Sequence, residues 1–322
     1  MLAWSAKERV AKMEKMLRGK TTSLLLTLLT MFLWGSLFPV IKIGYRVFSV
    51  NTASIPSILL FAGIRFLLCG AVMVLYVSLR DRHFAIPDSK NIVSVLLVSM
   101  SGYVMHYALL YVGVSHLDSS KTSILKQIGS LFIACFAFLF RKEDGFSAKK
   151  MIGGFLGFLS IVVVNVQHFK LKITVFDLLI IGASFCSVAS TLFSKNAYDT
   201  KNPIYVTAWA QLYGGIVLTV LGLSLGGRIG TFSTASVEVL FYMVFASCLG
   251  YALWNSLLKY NDLSRMNIIK FSEMLFSALC SWTLLGENIF KIEYLFSFFL
   301  ILLGIIVSDE CLGERLSGHR TR

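Results

Sequence analysis

Apolar residues gather along this chain in long runs of roughly 17–25, the length an α-helix needs to cross a hydrocarbon layer about 30 Å thick. The runs are Thr22–Gly44, Ile55–Leu79, Ile92–Val114, Ser119–Phe140, Met151–Phe169, Val175–Tyr198, Pro203–Leu225, Val237–Lys259, Met266–Leu285 and Glu293–Ser308. Charged residues fall in short bursts between the runs instead of along amphipathic faces. Strands are excluded, because an open strand leaves its backbone unsatisfied in lipid and barrel strands would be about ten residues long with strict alternation. The pattern therefore predicts an all-α integral membrane protein of about ten transmembrane helices. The tight link between the third and fourth runs predicts an antiparallel hairpin.

A second pattern lies on top of the first. Shifted by 144 residues, Ser115–Phe146 falls on Lys259–Phe290 without a gap. Asp118 meets Asp262, Lys126 meets Lys270 and Glu143 meets Glu287, with Tyr107-Ala108-Leu109 upstream on Tyr251-Ala252-Leu253. Chance similarity between apolar helices would share Leu and Ile, not charges in register. A duplication of five spans, an odd number, forces the second half to enter the membrane in the opposite sense. Two inverted five-helix repeats are expected, 21–169 and 175–310, flanked by tails 1–20 and 311–322. Inverted repeats of this kind characterise alternating-access carriers with a site near the midplane.

Composition agrees, with 56% hydrophobic residues against roughly 45–50% in soluble domains and a mean hydropathy of +0.75. The net charge of +13 could suggest a nucleic acid partner, but topology explains it better. Counted over alternate links and both tails, one side holds 20 Lys and Arg and the other 6. The positive-inside rule then places both termini in the cytoplasm of a cell membrane. Residues 1–20 read as a basic tail, either an amphipathic surface helix (Ala6, Val10, Met13 and Leu17 at helical spacing) or a solvated segment. They lack the form of a secretory signal. The six cysteines have no paired spacing, and neither metal nor cofactor is expected.

Several short motifs resemble EamA-type members of the drug/metabolite transporter superfamily. They are Trp34-Gly35-Ser36 with Lys42, Arg65-Phe66, Tyr111-Val112-Gly113-Val114, Gly153 with Gly157, and Leu284-Leu285-Gly286-Glu287. The resemblance spans Thr21–Glu310 and implies a ten-helix, two-repeat carrier. Ser130 and Met274 stand where many relatives have proline, which removes the usual reason for a helix break there.

Charged residues inside spans are costly, about 2.5–3.5 kcal/mol each at a helix centre, so they must face protein or water. Lys126 in span four is accompanied by Ser123 and Ser130. Lys270 in span nine is accompanied by Asn267 and Glu273. These polar faces predict a central pocket between the two spans, Glu273 being either a proton-coupling carboxylate or the i,i+3 partner of Lys270. Trp34, Tyr103, His106, Tyr107 and Trp254 are candidate lining residues. Arg65 is a structural tie to carbonyls or a ligand, and Lys42 either snorkels or joins the site. Gly153 and Gly157 offer a small-residue face for packing between halves or for a homodimer.

The reading is a secondary transporter of a small polar organic solute, such as an amino acid or related anion, with the lipid bilayer as its other partner. The rivals are an intramembrane enzyme on a lipid-linked substrate and a channel or scaffold. No catalytic motif supports the enzyme.

Overall fold

The computed structural model describes residues 14–82, 86–87, 89–117, 119–140, 147–165, 174–198, 201–230, 233–286 and 292–308. Every regular element among them is helical. The helices are α1 Lys20–Val47 and α2 Ile55–Asp81; α3, made of Ser89–Ser99, a π-helical turn Met100–Met105 and His106–His116; then α4 Ser119–Phe140 and α5 Ala148–Asn165. There follow α6 Val175–Tyr198, α7 Pro203–Ser224, α8 Thr234–Tyr260, α9 in two pieces, Leu263–Ile269 and Ser272–Leu285, and α10 Ile292–Ser308. Seven of these stretches among the described residues are long and apolar enough to cross a membrane, against about ten expected; α4 contributes a shorter apolar stretch, Leu125–Phe140.

Local chemistry sets the ends. Ser54 accepts a hydrogen bond from Ser57 N at the start of α2, with Pro56 beside it. Asn202 caps α7 just before Pro203, and Ser233 and Ser236 form a reciprocal capping box on α8. Asp262 accepts from Arg265 N at 2.9 Å and opens α9. Gly286, at φ +70, closes it in the left-handed conformation that glycine adopts without strain.

Large apolar side chains cover the exterior, and an apolar core holds charged and polar groups within it. Leu79, Leu139, Phe155 and Phe241 are exposed, whereas Arg65, His106, Gln211, Asn255, Lys270 and Glu273 are buried. Water would penalise such an apolar exterior; lipid does not.

The main packing pairs are α2 with α7, α5 with α10, α1 with α8 and α9, and α6 with α3 and α4. Glycines let two of these pairs approach to backbone contact. A Cβ on Gly63 or Gly70 would stand 2.5 Å from Thr219 N or 2.3 Å from Leu212 N, and one on Gly215 or Gly222 2.2 Å from Leu67 N or 2.7 Å from Leu60 N. On α10, a Cβ at Gly304 would come within 2.7 Å of Gly153 O. The small-residue face of α5 is therefore occupied within the same chain, by α10 at Gly153 and by Phe271 at Gly157.

Two local departures shape the centre. α3 widens into the π-turn, a form often found at functional positions. α9 breaks at Lys270-Phe271, where Phe271 N and Met274 N bond carbonyls three residues back, at 3.2 and 3.3 Å. The break forms without proline, while α4, with Ser130, runs through. The regular polar stripe expected over Asn267, Lys270 and Glu273 does not exist in that form, because the break interrupts the register.

Candidate functional site

The break in α9 and the π-turn in α3 face one cavity of about 70 Å³. One water needs roughly 10–15 Å³ of such space, so a few waters or a small solute would fit. α4 brings Lys126 to it, α9 brings Lys270 and Glu273, and α2 brings Arg65. α1 adds Trp34 and Phe38, α3 adds Tyr103, His106 and Tyr107, and α8 adds Tyr251, Trp254 and Asn255.

Lys126 Nζ donates to Glu273 Oε1 at 2.6 Å and stands 5.0 Å from the Phe38 ring centre. The partner of Glu273 is thus Lys126 on another helix and not Lys270, as spacing along span nine suggested. Lys126 is held by α6: Ser184 Oγ donates to its carbonyl at 3.0 Å and accepts from Gly129 N at 2.5 Å. Opposite, a Cβ on Gly35 would lie 2.7 Å from Glu273 O, so α1 presses on the carboxylate's own turn.

Lys270 Nζ sits 5.5 Å from the Trp254 ring centre, in the range of a cation–π contact. It makes no hydrogen bond among the described residues. Glu273 Oε2 and Trp34 Nε1 are likewise buried without a hydrogen-bond partner. Such orphans are rare in folded chains and call for a reason.

The aromatic wall is continuous. Trp34 lies 5.0 Å from Tyr251 and 5.4 Å from Trp254, and Tyr103 lies 5.2 Å from Tyr251, centre to centre. The Tyr107 and Tyr251 hydroxyls bond each other. His106 Nδ1 lies 2.7 Å from Ala183 O. A carbonyl can only accept, so Nδ1 carries the proton and a neutral ring would leave Nε2 bare on the cavity side.

Arg65 is bonded through Nε and Nη2 to Ser247 Oγ at 2.9 and 2.8 Å, and through Nη1 to Tyr111 Oη at 2.6 Å. It ties α2 to α3 and α8 through hydroxyls instead of the carbonyls expected, and one edge reaches the cavity.

Asn267, Ser130 and Lys42, expected at the site, do not line the cavity. Asn267 donates back to Leu263 O at 2.9 Å, and Ser130 is buried elsewhere on α4. Lys42 is partly exposed, a turn beyond Phe38. The Ser123 side chain lies outside the described residues. Sequence reading missed Ser187, Ser190, Thr191 and Ser194 of α6, which line the cavity. Their signal was available as a hydroxyl stripe at helical spacing on an apolar span. Another contact no spacing revealed is Cys69 Sγ to Cys248 Sγ, 3.1 Å apart across α2 and α8.

Comparison with known proteins places this arrangement. A model of the EamA-like transporter family matches residues 21–166 and 174–308. An uncharacterized transporter of Archaeoglobus fulgidus is 25% identical over 82% of this chain and 89% of its own length. YvbV of Bacillus subtilis, also an uncharacterized transporter, is 25% identical over 91% of this chain and 92% of its own. An S-adenosylmethionine/S-adenosylhomocysteine transporter of Chlamydia muridarum is 24% identical over 88% and 90%. The fold also superposes on a crystal structure with a TM-score of 0.72 at 12% identity, over 90% of this chain and 99% of the other. The family match covers nearly all of the polar-cored helical assembly described above, and this multi-pass membrane chain belongs to the EamA-like transporter family.

Proposed function

We propose that the chain is a secondary transporter that moves a small polar organic solute across the cell membrane by alternating access. Its halves are two inverted five-helix repeats, 21–169 and 175–310, and both termini are cytoplasmic. The observation that carries this reading is the symmetry of the contacts. Gly63 and Gly70 on α2 correspond to Gly215 and Gly222 on α7 by one shift of 152 residues. The contact of Gly63 with Thr219 becomes, under that shift, the contact of Gly215 with Leu67; Gly70 with Leu212 becomes Gly222 with Leu60. Tyr107 and Tyr251, equivalent in the repeat, bond each other, as residues flanking a two-fold axis can. The pairs α1 with α9 and α1 with α8 are matched by α6 with α4 and α6 with α3. A carrier built this way changes state by rocking one half on the other around a fixed site.

The site on that axis is the cavity with Lys126, Lys270 and Glu273 at its polar end and aromatic rings around it. An ammonium beside a ring wall suits a carboxylate-bearing solute with an apolar body. The Chlamydia muridarum relative makes S-adenosylmethionine and S-adenosylhomocysteine sensible first members of a test panel. A ligand present at 100 times its Kd stabilises the folded chain by about 2.7 kcal/mol, so thermal shift of the purified protein identifies candidates. Hits go into counterflow assays in proteoliposomes. The expected result is saturable, trans-stimulated exchange that Lys126→Met or Lys270→Met lowers at least tenfold. Non-saturable flux would instead describe a channel, and covalent conversion of the solute an enzyme.

A further inference from the structure

The cavity holds two lysines, Lys126 and Lys270, and one carboxylate, Glu273, among its described lining residues. The carboxylate is used on one side only: Oε1 is bonded to Lys126 Nζ at 2.6 Å, while Oε2 is buried with no partner. Lys270 lines the same cavity with its ammonium 5.5 Å from the Trp254 ring centre and no hydrogen bond among the described residues. An unpaired acceptor oxygen and an unpaired cation are therefore held in one small space.

We propose that Glu273 is the proton site of this carrier and that the two lysines are its anion site, linked so that proton and anion bind together. The inference rests on the carrier reading of the cavity. With Glu273 ionised, Lys126 is neutralised and one lysine charge remains. A proton arriving on Oε2 cancels the carboxylate and frees the Lys126 ammonium, which stays charged. Two lysine cations then face the cavity beside the already engaged Arg65, and an anion entering between the lysines restores the balance. By linkage the anion raises the proton occupancy of Glu273 as much as the proton raises anion affinity. The loaded centre carries the same net charge as the empty one, so no additional charge crosses the low-dielectric interior.

The groups facing Glu273 across the cavity are Lys126 on α4, Lys270 on its own α9, Arg65 on α2, His106, Tyr103 and Tyr107 on α3, and Tyr251 on α8. Arg65 is already engaged with Ser247 and Tyr111, and the Tyr107 and Tyr251 hydroxyls with each other. His106 and the Lys270 amine, which lines the cavity without a hydrogen bond among the described residues, are the competitors for the proton.

Benzenesulfonate tests the linkage because it is aromatic, singly charged and does not titrate near neutrality. The full chain in detergent is titrated with it calorimetrically, in phosphate and in Tris, at several pH values between about 6 and 8. Expected is uptake approaching one proton per anion bound, with affinity rising up to about tenfold per unit fall in pH. Glu273→Gln should bind benzenesulfonate with no proton uptake and no pH dependence. Lys270→Met should weaken binding at least tenfold at every pH. Infrared difference spectra of the unmutated protein provide a readout that survives a poorly folding variant: anion binding should produce a protonated carboxyl C=O band that shifts in D2O. Binding without proton uptake, uptake that persists in Glu273→Gln (the proton then lies on His106 or Lys270), absence of the carboxyl band, or no binding of benzenesulfonate at any pH would each overturn the proposal. Solute counterflow separates the two readings. Linked binding without any flux refutes the carrier and leaves the linkage standing, whereas flux without linked binding refutes the linkage alone.

Discussion

At the scale of single residues, the ion pair between Lys126 and Glu273 decides what each lysine does for stability. Glu273 is 1% exposed and its only ion-pair partner among the described residues is Lys126, at 2.6 Å. Lys126→Met should strand a buried carboxylate, a change that costs about 3–5 kcal/mol in comparable cases. The expected outcome is a marked fall in the thermal midpoint of the purified protein, largely recovered when Glu273→Gln is added. Lys270→Met removes a buried cation whose ammonium has no hydrogen bond among the described residues, so its midpoint should hold or rise. The reverse order would mean that Glu273 relies on Lys270. Sequence spacing favoured that reverse order, since Lys270 and Glu273 are three residues apart. Such spacing reports neighbours only on an unbroken helix, and α9 breaks at Lys270-Phe271. That these lysines would be inward-facing followed from the cost of charge in lipid. Which carboxylate oxygen meets which ammonium depends on how α4, α6 and α9 cross, and no local pattern encodes that.

At the scale of helices, the closest seam is α2 against α7. A Cβ on Gly215 would sit 2.2 Å from Leu67 N and 2.5 Å from Leu67 Cα, backbone atoms that cannot swing aside. Gly215→Leu should therefore part the two helices and abolish a monodisperse peak in fluorescence-detected size exclusion. Gly182→Ala is the contrast, because its nearest neighbour would be the flexible end of Leu109 at 3.4 Å. It should leave the peak and the thermal midpoint nearly unchanged, and even gain a few tenths of a kcal/mol from helix propensity. If both variants behave alike, close approach is not what the seam requires. Helix positions were legible because burial in lipid demands long apolar runs, and α2, α6 and α7 begin or end within a few residues of the expected limits. The π-turn of α3 and the break of α9 were not legible. Both lie where another helix packs close, which no local pattern encodes: a Cβ on Gly102 would meet Ser190 Oγ at 2.1 Å, and one on Gly157 would meet the Phe271 ring at 2.3 Å.

At the scale of the whole molecule, polar ties gather on the link between α8 and α9. Lys150 at the start of α5 bonds Asp262 at 2.5 Å, and Lys195 donates to Asn261 O at 2.6 Å. Arg265 reaches Ser23 Oγ at 3.0 Å and Lys20 O at 2.9 Å on α1, and Asn261 Nδ2 donates to Leu17 O at 3.1 Å. In the proposed topology this is the cytoplasmic end, so these ties join four helices where the proposed carrier must part them to open inward. Lys150 and Asp262 are partly exposed, and a pair of that kind contributes about 0.2–1 kcal/mol after screening. Lys150→Met combined with Asp262→Asn keeps an N-cap side chain on α9 while removing the ion pair. Loss of about 1 kcal/mol on the closed side would raise the inward-open population roughly fivefold. The measurement is the rate at which an impermeant maleimide labels a single cysteine at Ser194, a cavity-lining position, in a background without native cysteines. In inside-out vesicles the double variant should label several times faster than its parent, and in right-side-out vesicles no faster. An unchanged rate in both would show that the ties do not hold this end shut. Acceleration confined to right-side-out vesicles would place the α8–α9 link outside the cell and reverse the proposed topology.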